Sequence, residues 1–316
     1  MPETAASKEA TFRNFNKAQG DNYAESRRDY HPVLYHAVTD FHGSTGGKFG
    51  SLLDVGCGPG FAARALTPFF ENVTGIDVSE GMITTAQSLK SNDPKEIRFE
   101  ISSAEELGAN LSPPIPEASV DLLVAATCAH WFDMPEFWAR AAQVVKPGGT
   151  VAIWGGMGIK VSETMPNHVA IQRAIDNLEK AVDNYIVDGN RIARGLLVDL
   201  SLPWTLETPV EEFDEKSFVR KEWGTAIEGA LPANQFYNVE RKESFNVKIL
   251  EKILSTASPV IRWREAHPEL VGTEQDVARV MRREIEAALK EVGADGDEGI
   301  WEGGVYGALL LVKRRL

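Results

Sequence analysis

The chain has 316 residues, 43% of them hydrophobic and 25% charged, enough for one large domain or a domain with an appended lobe. Its 46 acidic residues against 33 Lys and Arg leave a formal net charge of -13, which repels phosphate backbones and argues against DNA or RNA as a partner. Cys57 and Cys128 are the two cysteines; they form neither a disulfide framework nor a zinc signature, so no metal is expected and both read as reduced small hydrophobes. The N-terminal residues lack the features of a secretory signal, and no apolar run approaches the roughly 20 residues of a membrane span. The expected location is the cytoplasm, with no membrane partner.

Residues 1–22 are polar and read as an arm or short helix. Residues 31–42 carry apolar groups at helical spacing, and Gly43 to Gly47 stop that helix. Then strands and helices alternate. Strands are expected at 51–55, 73–77, 97–101, 120–126 and 150–154. Helices are expected at 61–69, after Ser79 through Met82 to Leu89, and from Pro135 to Val145, where Lys146-Pro147-Gly148-Gly149 ends the last one. This rhythm implies βαβ units and a parallel sheet covered on both faces. After Trp154 it breaks. Helices are expected at 165–185, 247–266 and 274–291, strands at 218–223 and 236–241, and a last buried strand at 305–312.

Three clusters carry chemistry. Gly56, Gly58 and Gly60, with Cys57 between them, form a G-x-G-x-G turn at the end of the first strand, where open α/β sheets bind ligands. Asp54 precedes the turn and would suit a ligand bearing an ammonium group. Nicotinamide and flavin sites use similar turns, so the turn alone does not choose its ligand. Asp77 ends the second strand and can accept hydrogen bonds from ribose hydroxyls; it argues for an adenosine ligand without choosing one. Ser102-Ser103-Ala104-Glu105-Glu106 follows the third strand, beside the expected adenine edge, and also reads as a helix cap.

Together these segments resemble the class I S-adenosylmethionine-dependent methyltransferases. Leu-Leu-Asp-Val-Gly-Cys-Gly-Pro-Gly, Gly-Ile-Asp-Val-Ser-Glu-Gly-Met, Ser-Ala-Glu-Glu-Leu and Val-Lys-Pro-Gly-Gly-Thr stand in the family's order over roughly residues 20–155. The resemblance implies an α/β fold: a Rossmann-like, seven-stranded, mostly parallel sheet with helices on both faces, and an α-rich substrate lid. Many members have Asp where this chain has Ser103, which leaves the Ala104 backbone as the reader of adenine. A narrower resemblance is to the trans-aconitate methyltransferase-like group, fungal and yeast-type members above all. It rests on Tyr23-Ala-Glu-Ser-Arg27-Arg28-Asp29-Tyr30-His31-Pro32, on Ala129-His130-Trp131-Phe132-Asp133, and on Ser255-Thr256-Ala257-Ser258 with Arg262-Trp263-Arg264. Arg28 and His31 depart from it by standing where the group usually has prolines.

The resemblance implies a site. S-adenosylmethionine would be held by Tyr23, Arg27, Asp54, Gly56, Cys57, Gly58, Gly60, Asp77, Val78, Met82, Ser103, Ala104, Glu105 and Thr127, with Arg27 available to its carboxylate. His130 would position the acceptor or remove its proton. Trp131, Arg262 and Trp263 would touch the acceptor, with Arg220 and Trp223 as further candidates. The expected divisions are an N-terminal lid segment (1–45), a cofactor core (46–155), a substrate lid (156–300) and a last sheet strand (301–316). The leading functional expectation is methyl transfer to a small molecule, as O-methylation of a carboxylic acid or natural product. Competing expectations are transfer to nitrogen, sulfur or carbon, to a macromolecule, or cofactor binding without turnover. Oligomeric state stays open.

Overall fold

The computed structural model describes residues 10–90, 94–223, 236–237, 241–243, 246–294 and 301–316. Four short apolar runs, each bounded by turn residues, form the parallel strands β1 (Ser51–Val55), β2 (Asn72–Asp77), β3 (Ile97–Ile101) and β4 (Val120–Ala126). All seven residues of β4 are buried, as a strand covered on both faces requires. Between them run α3 (Phe61–Leu66), which ends in a single 3₁₀ turn, and α4 (Glu80–Ser88). Ser79 caps α4, its hydroxyl accepting from the Met82 N–H at 3.3 Å. Helix α5 (Met134–Val144) is capped by Asp133 rather than opened by Pro135.

The chain then enters β5 (Val145–Val161) at once. The expected stop at 146–149 is instead a bulged strand start: Val120 pairs Val145, and the register shifts before Leu122 pairs Thr150. Gly148, at φ 75°, supplies the backbone conformation that the bulge needs.

N-terminal to the sheet lie α1 (Lys17–Ser26), started by a reciprocal Asn16/Gln19 capping box, and α2 (Pro32–Ser44). After β5 come α6 (His168–Ala181), α7 (Asp188–Arg194), β6 (Phe213–Trp223), β7 (Phe236–Tyr237), β8 (Arg241–Glu243), α8 (Val247–Ser255), α9 (Ser258–Ala266), α10 (Val277–Glu291) and β9 (Trp301–Arg314). The expected helix over 247–266 is two helices, because Pro259 sits in the first turn of α9 and cannot continue α8. Of the strand expected at 236–241, residues 238–240 lie outside the described residues.

Among the described residues the sheet has nine strands in the order β3-β2-β1-β4-β5-β9-β6-β7, with β8 beside β9. The resemblance implied seven and the sequence pattern eight, with β7 in the segment expected at 236–241; β8 is the strand not anticipated. Strand β9 runs antiparallel to both β5 and β6. One face packs on α5 through Phe137, Trp138 and Phe213. The other packs on α2 and α3 through Val38, Leu66, Phe70 and Trp154. A separate cluster holds α6, α8, α9 and α10 together around Ile171, Leu250, Met281 and Ile285. Among the described residues no helix is long and apolar enough to cross a membrane. The strand order reverses between β1 and β4, so the crevice outside their carboxyl ends is where this topology places a ligand.

Candidate functional site

The loop leaving β1 turns on three glycines with φ of 62° at Gly56, 53° at Gly58 and 85° at Gly60. All three values lie in the left-handed region that a Cβ penalises. A Cβ on Gly56 would stand 2.8 Å from Cys128 Sγ, whereas one on Gly58 would meet nothing within 4 Å. Gly58 therefore borders open space: it lines a cleft of ≈ 1030 Å³ with Cys57, Asp77, Val78, Met82, Ser103, Ala104, Glu105 and Thr127.

Asp77 fixes the far side of this turn. Its Oδ2 accepts from the Gly58 N–H at 2.9 Å and its Oδ1 from the Ser79 N–H at 2.8 Å. Burial raises its pKa, while those backbone donors pull it back down. The residue is half-buried and on the cleft wall. Beyond it, Ser103 caps a tight turn, its hydroxyl accepting from the Glu106 N–H at 3.2 Å. The segment forms turns rather than the helix its acidic pair suggested.

Asp54 lies elsewhere. It is fully buried beneath the turn and does not line the cleft. Its Oδ2 accepts from the Ala63 N–H of α3 at 2.9 Å, and its Oδ1 has no partner among the described residues. Burial, with Asp77 nearby, pushes its pKa up to about 8. The expected contact with a ligand ammonium is thus not direct; the residue braces the turn from below. Gly60 is likewise behind the wall, its Cβ direction filled by Arg64 and Phe99.

A second cavity of ≈ 1210 Å³ adjoins the first. Tyr23, Tyr30, Phe61 and Thr127 line both. Thr127 holds φ 59° at the end of β4, and its N–H bonds the Trp154 carbonyl at 2.7 Å. Tyr30 donates its hydroxyl to the Ala126 carbonyl at 3.2 Å, and burial pushes its pKa above the usual phenol range. Arg27 faces this second cavity and not the cofactor cleft. Its guanidinium carbon stands 5.2 Å from the Tyr23 ring centroid, and Nη2 donates to the Thr256 carbonyl at 3.4 Å. Position four after Tyr23 carries Arg27 past the helix end, which is why it reaches the neighbouring space.

The remaining expected acceptor residues separate. Trp131 lines the cofactor cleft. His130 lines neither cavity; it is 7% exposed, its Nδ1 has no partner among the described residues, and its ring packs 4.5 Å from that of Trp131. Burial lowers its pKa to about 3, which makes it a weak base, well below the range useful at neutral pH. Arg262 is committed to structure: it donates to the Tyr185 carbonyl at 2.8 Å and to Thr11 at 3.1 Å, and also bonds Asn190. Trp263 belongs to the helical cluster and packs on His267. Arg220 pairs with Glu222 at 2.6 Å. Of that group only Trp223 reaches the second cavity.

Several wall residues were not anticipated. Phe12 and Arg13 reach the cofactor cleft from before α1, and Cys128 and Phe132 from after β4. Tyr30 lay within the recognised N-terminal segment, and its aromatic character was the available signal. Trp154, Leu250 and Ile253 of the second cavity sit in runs that read simply as core.

Residues 53–153 match the family described as "Methyltransferase domain". A probable S-adenosylmethionine-dependent methyltransferase of Saccharomyces cerevisiae is 31% identical over 142 residues, covering 45% of this chain and 46% of that one. The methyltransferase ptaI of Pestalotiopsis fici is 31% identical over 137 residues, covering 42% and 40%. The alignments thus span less than half the length of these curated relatives. An inferred type II methyltransferase from Anaeromyxobacter dehalogenans shares the fold, with a TM-score of 0.57, 22% identity, and coverage of 92% of this chain and 97% of that one. Residues 53–153 are thus similar to a methyltransferase domain, and the chain has a Rossmann-like fold.

Proposed function

We propose that this protein is an S-adenosylmethionine-dependent methyltransferase whose first cavity binds the cofactor and whose second binds a small acceptor, methylated on an oxygen that is already anionic. The observation that carries this reading is the composition of the junction. The residues common to the two cavities are Tyr23, Tyr30, Phe61 and Thr127, and none of them bears a carboxylate or an imidazole.

The cofactor supplies a methyl group already activated on a sulfonium. What the chain must do is align the acceptor behind that methyl and keep water out. Asp77 would hold the ribose, and Val78 with Ala104 the adenine edge. Three aromatic rings at the junction suit a passing positive charge. An acceptor carboxylate, or a hydroxyl acidic enough to ionise in solution, needs no base there; His130 lies off both walls, and Asp29 and His31 line the second cavity but not its junction with the first. This favours O-methylation of a carboxylic acid or acidic natural product over transfer to an amine, whose proton would need a base. The net charge of -13 supports a small molecule over nucleic acid. The narrower trans-aconitate-like kinship fits the N-terminal segment, whose Tyr23 and Tyr30 reach the junction.

The test is incubation with methyl-labelled S-adenosylmethionine and a panel of carboxylic acids, acidic phenols, alcohols and amines. Label should pass to acids, with S-adenosylhomocysteine formed in equal amount. Turnover confined to alcohols or amines would refute the baseless mechanism.

A further inference from the structure

We propose that the acceptor is a flat, largely apolar acid, its ring system laid against Trp154 and Trp223 and its anionic oxygen bonded by Arg27. This deepens the reading above and rests on it, since it takes the second cavity as the acceptor site.

The walls give the shape. Trp154 and Trp223 are 1% and 3% exposed yet both border the cavity. Tyr30 stands edge-on to Trp154, the ring centroids 5.5 Å apart at 89°. Leu250 and Ile253 close the cavity from α8. Gly155 and Gly156 of β5, with Gly303 and Gly304 of β9, leave part of the wall as bare backbone. Such a space accepts a plane and penalises hydroxyls or multiple carboxylates, which would lose water against indole and aliphatic surface. The Nε1 of Trp154 is also buried without a partner among the described residues.

The charge comes from Arg27. Its Nε is buried without a partner among the described residues, and its Nη2 bond to Thr256 is long at 3.4 Å. A guanidinium with N–H groups left over on a cavity wall is matched by a carboxylate or comparable oxyanion. The neighbouring carboxylate of Asp29 forms no ion pair with Arg27 among the described residues and is turned instead to two tyrosines. Its Oδ1 accepts from the Tyr35 hydroxyl at 2.6 Å and the Tyr30 N–H at 2.7 Å. Arg28 and His31 also border the cavity.

The experiment is calorimetric titration of the full chain, saturated with S-adenosylhomocysteine, using three probes: 2-naphthoate, the neutral and equally flat 2-naphthamide, and the small polar acid succinate. The naphthoate should bind about tenfold more tightly than either of the others. In Arg27→Gln the advantage of naphthoate over naphthamide should vanish, and Arg27→Lys should restore part of it. Trp223→Leu tests the aromatic half independently and should weaken both naphthalene probes while leaving succinate as it was. Equal binding of naphthoate and naphthamide, absence of naphthoate binding to the saturated protein, or retained preference in Arg27→Gln would overturn the proposal. Failure of S-adenosylhomocysteine itself to bind would instead sink the cofactor reading on which it rests.

Discussion

Replacing Asp77 by Asn alters one atom at the point where the glycine turn, the second strand and the proposed ribose site meet. In the native chain each carboxylate oxygen accepts one backbone N–H, from Gly58 at 2.9 Å and Ser79 at 2.8 Å. An amide can accept at only one of these positions, so one N–H is left facing an NH₂ group. Losing a hydrogen bond to a charged group costs about 1.5–3 kcal/mol. Burial raises the pKa of Asp77, so neutralising it recovers some desolvation and moves the cost toward the lower figure. The thermal midpoint should fall by roughly 3–6 °C, at about 2 °C per kcal/mol for a chain of this size. Cofactor binding should suffer separately, because the ribose hydroxyls lose a charged acceptor. A further loss of about 1–3 kcal/mol means affinity roughly 5- to 150-fold weaker. Titration calorimetry with S-adenosylhomocysteine, run well below both midpoints, separates the two effects. Native affinity in a variant of lowered midpoint would refute the ribose assignment and leave Asp77 a purely structural brace.

Further expectations concern buried groups and the acceptor wall. The pKa of Asp54 is raised to about 8, above its unfolded value, so the folded chain holds a proton that the unfolded chain releases between about pH 4 and 8. Stability should therefore decline as pH rises through that window. Asp54→Asn should flatten the decline in denaturant titrations at pH 5 and 8.5, and an unaltered slope would contradict the assignment. His130 behaves oppositely: its pKa is lowered to about 3, so its contribution is present above the unfolded value of about 6.5 and is lost as pH falls toward the folded one. His130→Gln should reduce acid sensitivity between those values and leave the pH profile of turnover intact; loss of the profile's acidic limb would make His130 the base after all. A Cβ on Gly307 would stand 2.1 Å from the Trp223 indole. Gly307→Ala should displace that ring, lower stability by about 1–3 kcal/mol and raise the acceptor KM. Affinity for S-adenosylhomocysteine should persist, since Trp223 is not on the cofactor cleft. An unchanged KM would place the acceptor away from Trp223.

The first half of the chain was legible because its strands are short apolar runs cut by glycine, proline and capping residues. The observed β1, β3 and β4 begin and end where the sequence suggests. The glycine turn was legible for a related reason: three positions need positive φ, and glycine adopts it most readily. What the pattern could not give was depth. Asp54 and Asp77 both end buried runs, yet one lies beneath the turn and the other on the cleft wall. Arg27 follows Tyr23 by one helical turn, but its place depends on where α8 and Thr256 pack, some 229 residues further on. The second half was harder still. Arg262 and Trp263 look like candidate binding groups in sequence, and their roles are set by Tyr185, by Asn190 on α7, by the N-terminal arm and by the helical cluster. Periodicity also ran the helix through Pro259, where α8 and α9 are separate. It stopped β5 at Trp154, although the strand continues to Val161 along β9.

The decisive measurement is a crystal structure with S-adenosylmethionine or its demethylated product bound. Adenine should lie between Val78 and Ala104, both ribose hydroxyls on Asp77, and the sulfur at the junction of Tyr23, Tyr30, Phe61 and Thr127, with the transferable methyl directed into the cavity bordered by Trp154 and Trp223. A cofactor bound away from Asp77, or one whose methyl is directed away from that second cavity, would contradict this placement.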